Sequence, residues 1–313
     1  MQTGKWLAAL VAVLVLGTAQ AASDPPVVQG ESVLTLRVDG ELTIGPDGSV
    51  ADYRIGTKLD PQVEALVKRA VPTWRFKPIL VDGKPAVATS PMRITLAAEE
   101  FEQGYRVTVD NVVFRPNTKE QYEAELASRK LHPRVSVAGE SPAPQVSISS
   151  KSLTPPKYPS GLQRSGVEGI VLLNLRLNRD GTVAEVFAAQ SSLLNVKGRE
   201  GLLDRARSML ERSAGDVAKR WTFQVEAENQ AALSAEALTV RVPVSYTLGT
   251  SGEAMDGLAG KWRHEFRGPN LTAPWLAAEK TAKVGVSDLA ANEMLAGVSP
   301  FELSDKSILG KAL

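Results

Sequence analysis

Apolar and polar residues alternate along two separated stretches of this chain, and each stretch then changes to a helical period. In the first, Val33 to Val38 alternates as a strand, and Glu41 to Ile44 repeats the habit. Pro46-Asp47-Gly48 predicts a hairpin turn, with proline presetting φ and glycine taking the positive φ. Val50 to Ile55 returns as a second strand. Asp60-Pro61 predicts a helix start, Asp as N-cap and Pro at the first helical position. Val63, Leu66, Val67 and Ala70 then share one helical face, and Pro72 ends the run. Trp74 and Phe76 share one face of an extended segment. That pattern fits core packing under the helix better than a ligand-stacking pair. Met92 to Leu96 is the last strand, giving the order β-β-α-β.

The second stretch repeats this order. Val171, Leu173, Leu175 and Leu177 line one face of a strand, and Leu172, Asn174, Arg176 and Asn178 line the other. Arg179-Asp180-Gly181 is the turn and Val183 to Ala188 the return strand. Leu203, Ala206, Leu210, Ala214, Val217 and Trp221 trace a helical stripe. Thr222-Phe223 leaves the helix, and Thr239 to Leu248 is the final strand. The halves align turn on turn: Pro46 to Asp52 with Arg179 to Glu185, Trp74-Arg75-Phe76 with Trp221-Thr222-Phe223, and Met92 to Leu96 with Val244 to Leu248. A duplication of about 70 to 85 residues is expected, too long a period and too few copies for a solenoid.

These patterns divide the chain into a first module at 33–114, a connection at 115–154, a second module at 155–248 and a tail at 249–313. Gly104 to Phe114 reads as one more strand that extends the first sheet. Asn117 to Glu120 resembles a capping box opening a short polar helix to about Leu131. His132 to Pro156, rich in Pro and Ser, reads as an extended linker. In the tail, Ala273 to Lys283 predicts a short amphipathic helix, and Ser287-Asp288 caps another through Leu295. Trp262 and Trp275 are expected to dock the tail on a module, the rival reading being a partner surface. At the start, Lys5, the apolar run Leu7 to Leu16 and Ala19-Gln20-Ala21 predict a signal peptide at 1–21, cleaved to leave Ala22. The alternative is an inner-membrane anchor formed by residues 6–19, shorter than the about 20 residues a spanning helix needs.

Composition narrows the function. A formal net charge of +1 with no block of one sign argues against general nucleic-acid binding. With no cysteine, disulfides, thiolate metal sites and cysteine nucleophiles are excluded. The two histidines, His132 and His264, stand apart from any Ser, Asp or Glu constellation. No phosphate loop, Gly-x-Ser-x-Gly or metal-ligand spacing occurs. No catalytic residue, metal ligand or cofactor is therefore expected.

One ordered set of residues carries a resemblance. Tyr158-Pro159, Leu162, Gly166, Gly169-Ile170-Val171, Asp180-Gly181-Thr182-Val183, Gln190-Ser191-Ser192, Trp221-Thr222-Phe223 and Val242 to Tyr246 resemble the C-terminal domain of the TonB family. The match covers Pro155 to Leu248 well and Val33 to Leu96 moderately. The resemblance implies an α+β fold of two TonB-C-like modules, each a three-stranded antiparallel sheet with a packed helix. It implies contact with an outer-membrane TonB-dependent transporter through a segment near the transporter's N-terminus. It also implies a link to an inner-membrane proton-driven complex.

The residues themselves suggest strand addition as the binding mode. Pro243 lacks an N–H and belongs on an edge strand, so Thr239 to Leu248 is the candidate edge, with Thr239, Arg241, Pro243, Ser245 and Tyr246 as candidate contacts. The rival is that Pro243 prevents strand pairing. Tyr158 and Pro159 are further candidates, unless they clamp the domain's entry. The expected function is non-enzymatic protein binding in the periplasm, associated with TonB-dependent transport. The alternatives are a membrane-anchored energy transducer and an envelope scaffold or peptidoglycan-binding protein.

Overall fold

Two glycine turns set the register of the sheet. The computed structural model describes residues 29–81, 83–102, 104–114, 146–227, 233–248, 259–276, 283–290, 293–296, 299 and 301–313. The signal segment at 1–21, the polar helix expected from Asn117 and the linker histidine His132 lie outside the described residues. At the first turn Asp47 accepts hydrogen bonds from the Ser49 N–H and hydroxyl, at 3.0 and 2.6 Å. At the second, Asp180 does the same for Thr182, at 2.9 and 2.6 Å. Gly48 and Gly181 have φ of +79° and +82°. A Cβ would lie 2.0 Å from the Phe76 carbonyl oxygen at Gly48 and 1.9 Å from that of Phe223 at Gly181. The carbonyl of each glycine accepts the N–H of that same phenylalanine at 2.8 Å. Only glycine permits both the φ and the approach.

The first turn joins β1 (Glu31–Ile44) to β2 (Val50–Ile55). Helix α1 (Pro61–Ala70) follows, capped as expected by Asp60, whose side chain accepts the Gln62 N–H. Pro72 ends the α-helix, and Val71–Thr73 form a 3-10 turn. The short strands β3 (Ile79–Val81) and β4 (Lys84–Ala86) pair with each other. Then come the long strands β5 (Ala88–Phe101) and β6 (Gly104–Phe114). Trp74 and Phe76 are buried beneath α1 with Leu42, Ile44, Met92 and Ile94. The sheet here has four strands, β2-β1-β5-β6, rather than three, because Gly104 to Phe114 pairs with β5 along ten positions.

The second turn joins β8 (Glu168–Leu177) to β9 (Val183–Leu194). Before them lie β7 (Val146–Ser152) and the one-turn helix α2 (Ser160–Arg164). After them come α3 (Glu200–Ala218), β10 (Thr222–Ala227) and β11 (Thr239–Tyr246). The expected α3 stripe is buried against the sheet, with Trp221 and Phe223 completing the cluster. The expected linker is corrected at its end. Val146 to Ser152 is a strand paired antiparallel with β10, because the segment leaving α3 offers it an edge.

The tail departs furthest from expectation. β12 (Arg263–Arg267) pairs with β1 on one side and β9 on the other, so one nine-stranded sheet runs β13-β11-β8-β9-β12-β1-β5-β6, with β2 also on β1. Among the described residues, the second helix expected from Ser287 to Leu295 does not form. Val286–Asp288 make a single 3-10 turn, and β13 (Leu295–Ala296) is a two-residue strand on β11. The reason is apolar spacing: Val284, Val286, Leu289 and Leu295 all sink into the sheet face formed by Ile170, Leu172 and Ala189, which a helix cannot arrange. Trp275 docks the tail, its ring edge-on to Phe187 and its Nε1 donating to Thr239. Trp262 stays at the surface, 36% exposed. The fold is α+β with mostly antiparallel strands and few helices. Among the described residues, no helix is long and apolar enough to cross a membrane.

Charged side chains bury themselves where the tail crosses the sheet. Glu265 on β12 is fully buried and meets Arg263, the Thr35 hydroxyl at 2.6 Å and the Ser287 hydroxyl at 2.9 Å. Burial raises its pKa, but Arg263 and the Thr35 hydrogen bond outweigh that and hold it below the usual carboxylate range. Arg267 forks onto Asp110, at 2.7 and 3.0 Å. Arg93 on β5 pairs with Asp39 at 2.5 Å and with Glu293, and donates to the Asp288 carbonyl at 2.6 Å. Gly268 leaves room for the Arg207 guanidinium, 1.9 Å from where a Cβ would sit.

Candidate functional site

The candidate edge is β11, and its two faces have different surroundings. The strand pairs with β8 from Thr239↔Arg176 to Tyr246↔Gly169. Val240, Val242, Val244 and Tyr246 face α3 and join Leu210, Ala214 and Val217 in one cluster. Thr239, Arg241, Pro243 and Ser245 take the opposite face, the one the tail crosses. Among the described residues, the outer side of β11 pairs only with β13, at Val240↔Ala296 and Arg241↔Leu295. No other described strand pairs with Val242 to Tyr246 on that side.

The structure distributes the seven candidate contacts unevenly. Tyr158 and Tyr246 stand edge to face, with ring centroids 5.3 Å apart. The Tyr158 hydroxyl donates to the Val167 carbonyl at 2.6 Å, and that of Tyr246 to the Leu210 carbonyl at 3.1 Å. Burial pushes both phenols upward in pKa, Glu168 adding to the effect at Tyr158. Tyr246 is turned inward rather than outward. Tyr158 closes the entry of the chain onto α3, and Pro159 precedes the first turn of α2. Thr239 is buried; its hydroxyl donates to the Ala235 carbonyl at 2.6 Å and accepts from Trp275 at 3.1 Å. Pro243 pairs with Leu172 and subtracts one N–H from the strand.

That leaves Arg241 and Ser245. Arg241 is 6% exposed, and its guanidinium is less basic than usual for one cause, removal from water. Among the described residues no carboxylate pairs with it. Ser245 has a buried Oγ without a partner. Asn174 lies beside Arg241 on β8, and its Oδ1 is buried and unpartnered as well. The sequence placed Asn174 on the polar-lined face of β8 but gave no sign of its role here. Leu295 reads in the sequence as the end of a helix rather than as a strand, since a two-residue strand has no period to detect. No three His, Asp or Glu side chains among the described residues converge as a metal site.

No family model matches the chain, and no solved structure matches it. Over 103 residues it is 35% identical to Protein TonB of Xanthomonas campestris pv. campestris, in strain B100 and in strain ATCC 33913 alike. The match takes in 33% of this chain and 39% of each relative, so the chain spans about two fifths of the length of the curated relatives it matches. This similarity supports a TonB-like C-terminal domain within the chain.

Proposed function

We propose that the chain is a TonB-family envelope protein, acting in the periplasm as a non-enzymatic binding module of TonB-dependent outer-membrane transport. It takes an extended segment of its partner by strand addition at β11. The observation that carries this reading is the thin cover on β11's outer side, two residue pairs against ten on β5. Unpaired N–H and C=O groups on a strand edge recruit another backbone, and alternating side chains then select it. The partner fitting the reading is the N-terminal segment of an outer-membrane transporter. The identity to Protein TonB supports that choice, and the apolar run before Ala22, read as a signal peptide, supports export.

The reading extends to two copies of one unit. In its favour are the matching Asp47-Gly48 and Asp180-Gly181 turns, each locked to the phenylalanine that leaves its helix. The test is titration of the intact chain with labelled peptides from transporter N-termini, followed by hydrogen exchange. Added peptide is expected to slow exchange of amides between Val242 and Tyr246. Binding without protection of that strand would remove β11 as the site.

A further inference from the structure

β13 is two residues long, yet it occupies the register an incoming strand would use. Leu295 stands directly opposite Arg241. Cross-strand neighbours of an antiparallel pair point to the same face, so the side chain at this position is the one Arg241 meets. The protein sets an apolar side chain there, against a buried cation.

Four of the other buried arginines are matched. Arg93 has Asp39 and Glu293, Arg207 has Asp204 and Glu211, and Arg263 has Glu265. Arg267 has Asp110 and Glu31. Arg37 is the exception: among the described residues it has no ion pair in contact, its Nε is buried without a partner, and burial and Arg93 lower its pKa to about 10, with Asp39 and Glu293 only partly offsetting them. Among the described residues no carboxylate acts on Arg241; burial lowers its basicity. A buried charge without a counterion is costly, and proteins ordinarily pair it. The neighbouring Asn174 also keeps an unpartnered polar atom. A half-turn of that amide exchanges its acceptor for a donor.

We infer that the β11 edge selects an extended peptide with an aspartate or glutamate at the position held by Leu295, its carboxylate pairing with Arg241 as β13 is displaced. The inference rests on the strand-addition reading and names the chemistry of the partner. The amide of Asn174 supplies a second donor to the same carboxylate. Ser245 lies four residues along on the same face. It meets the peptide residue four positions before the acid, where its free hydroxyl suits a polar side chain. β13 is thus an internal occupant that a better-matched strand replaces.

The experiment uses the intact chain and two fluorescent nine-residue probes of alternating threonine and valine. One carries glutamate at its centre and the other glutamine. The glutamate probe is expected to bind about tenfold tighter by anisotropy, as a charge-assisted hydrogen bond warrants. Arg241→Gln should erase that difference by weakening the glutamate probe alone, and Arg241→Lys should keep most of it. Leu295→Asp should supply the carboxylate internally and weaken both probes, an effect lost when combined with Arg241→Gln. Equal binding of both probes by the unmodified protein overturns the inference and leaves strand addition standing. That comparison needs no variant, so a misfolded Arg241→Gln protein does not blunt it. If neither probe binds and the β11 amides stay unprotected, the strand-addition reading falls and takes the inference with it.

Discussion

The final strand of each β-β-α-β run ends at a different kind of edge. On β5 the outer side is sealed by β6 from Met92↔Phe114 to Phe101↔Gly104. The buried Arg93 of that strand is held by two carboxylates, one of them Glu293 from the tail. On β11 two residues of the tail stand where β6 would be, and the buried Arg241 has no carboxylate. Among the described residues, one edge is finished in both backbone and charge, and the other is unfinished in both. The difference teaches that backbone pairing and charge pairing were left open at the same place, as expected of a surface kept for a partner rather than for stability.

The sharpest way to break this comparison is to remove the two arginines in turn. Arg93→Met removes the buried cation that Asp39 and Glu293 share and should cost about 3–5 kcal/mol in urea unfolding, the usual penalty for breaking a buried ion pair. A cost near zero would make the two edges energetically alike.

Next come the two turn glycines. Gly48→Ala and Gly181→Ala each force a non-glycine residue to positive φ and into a carbonyl, and each should cost about 2–3 kcal/mol. Equal costs support equivalent halves. A gap of more than about 1 kcal/mol would mean that one half is held mainly by its surroundings.

The third prediction concerns pH and the tail. Burial pushes the Asp288 carboxyl up to about 6, even though Thr95, Asn111 and the Gly285 N–H hydrogen-bond to it. A raised folded-state pKa means that stability is fully present below the unfolded value, near 3.8, and is lost as pH rises through about 6. Glu265 has the opposite sign: its pKa is depressed, so its contribution is present above about 4.5 and is lost on acidification. Thermal stability should therefore rise by about 1.4 kcal/mol between pH 7.5 and 5 and fall again in stronger acid. A profile flat between pH 7.5 and 5 would separate Asp288 from tail docking.

The smallest effect is expected at the unfinished edge. Arg241→Met removes a cation that has no partner to orphan, and should stabilise the free protein by about 1 kcal/mol. Its sign, opposite to that of Arg93→Met, is the point of the measurement. Destabilisation by several kcal/mol would reveal a partner for Arg241 within the chain.

Much of this fold was legible because each signal was local. The Asp-Gly turns, the Asp60-Pro61 cap and the stripe from Leu203 to Val217 require only neighbouring residues to be recognised. Trp74 and Phe76 were correctly read as core. The tail was illegible for the opposite reason. Arg263-His264-Glu265-Phe266-Arg267 reads as a polar stretch, yet four of its five residues are buried. Arg263 and Glu265 pair within the strand, but Arg267 is answered by Asp110, and the Thr35 and Ser287 hydroxyls that also hold Glu265 are far from it in sequence. Val146 to Ser152 failed similarly, since Ile148 is its only fully buried residue and backbone pairing with β10 supplies the rest. At the candidate edge the proline was informative and the arginine was not. A sequence reports that a charge exists, but not that nothing answers it.

The position of β12 has a consequence for how the chain is made. Thr35 and Glu265, which meet inside the sheet, are 230 residues apart. At roughly 5–20 residues per second, the ribosome leaves the start of β1 waiting on the order of 10 to 50 seconds for the strand that completes it. Until then β1 and β9 each carry a bare margin, and contacts this distant in sequence form slowly even once all parts exist. A nascent or truncated chain lacking Arg263 to Arg267 is thus the form of this protein most exposed to mispairing with other chains, and the form a holding chaperone would have most reason to bind.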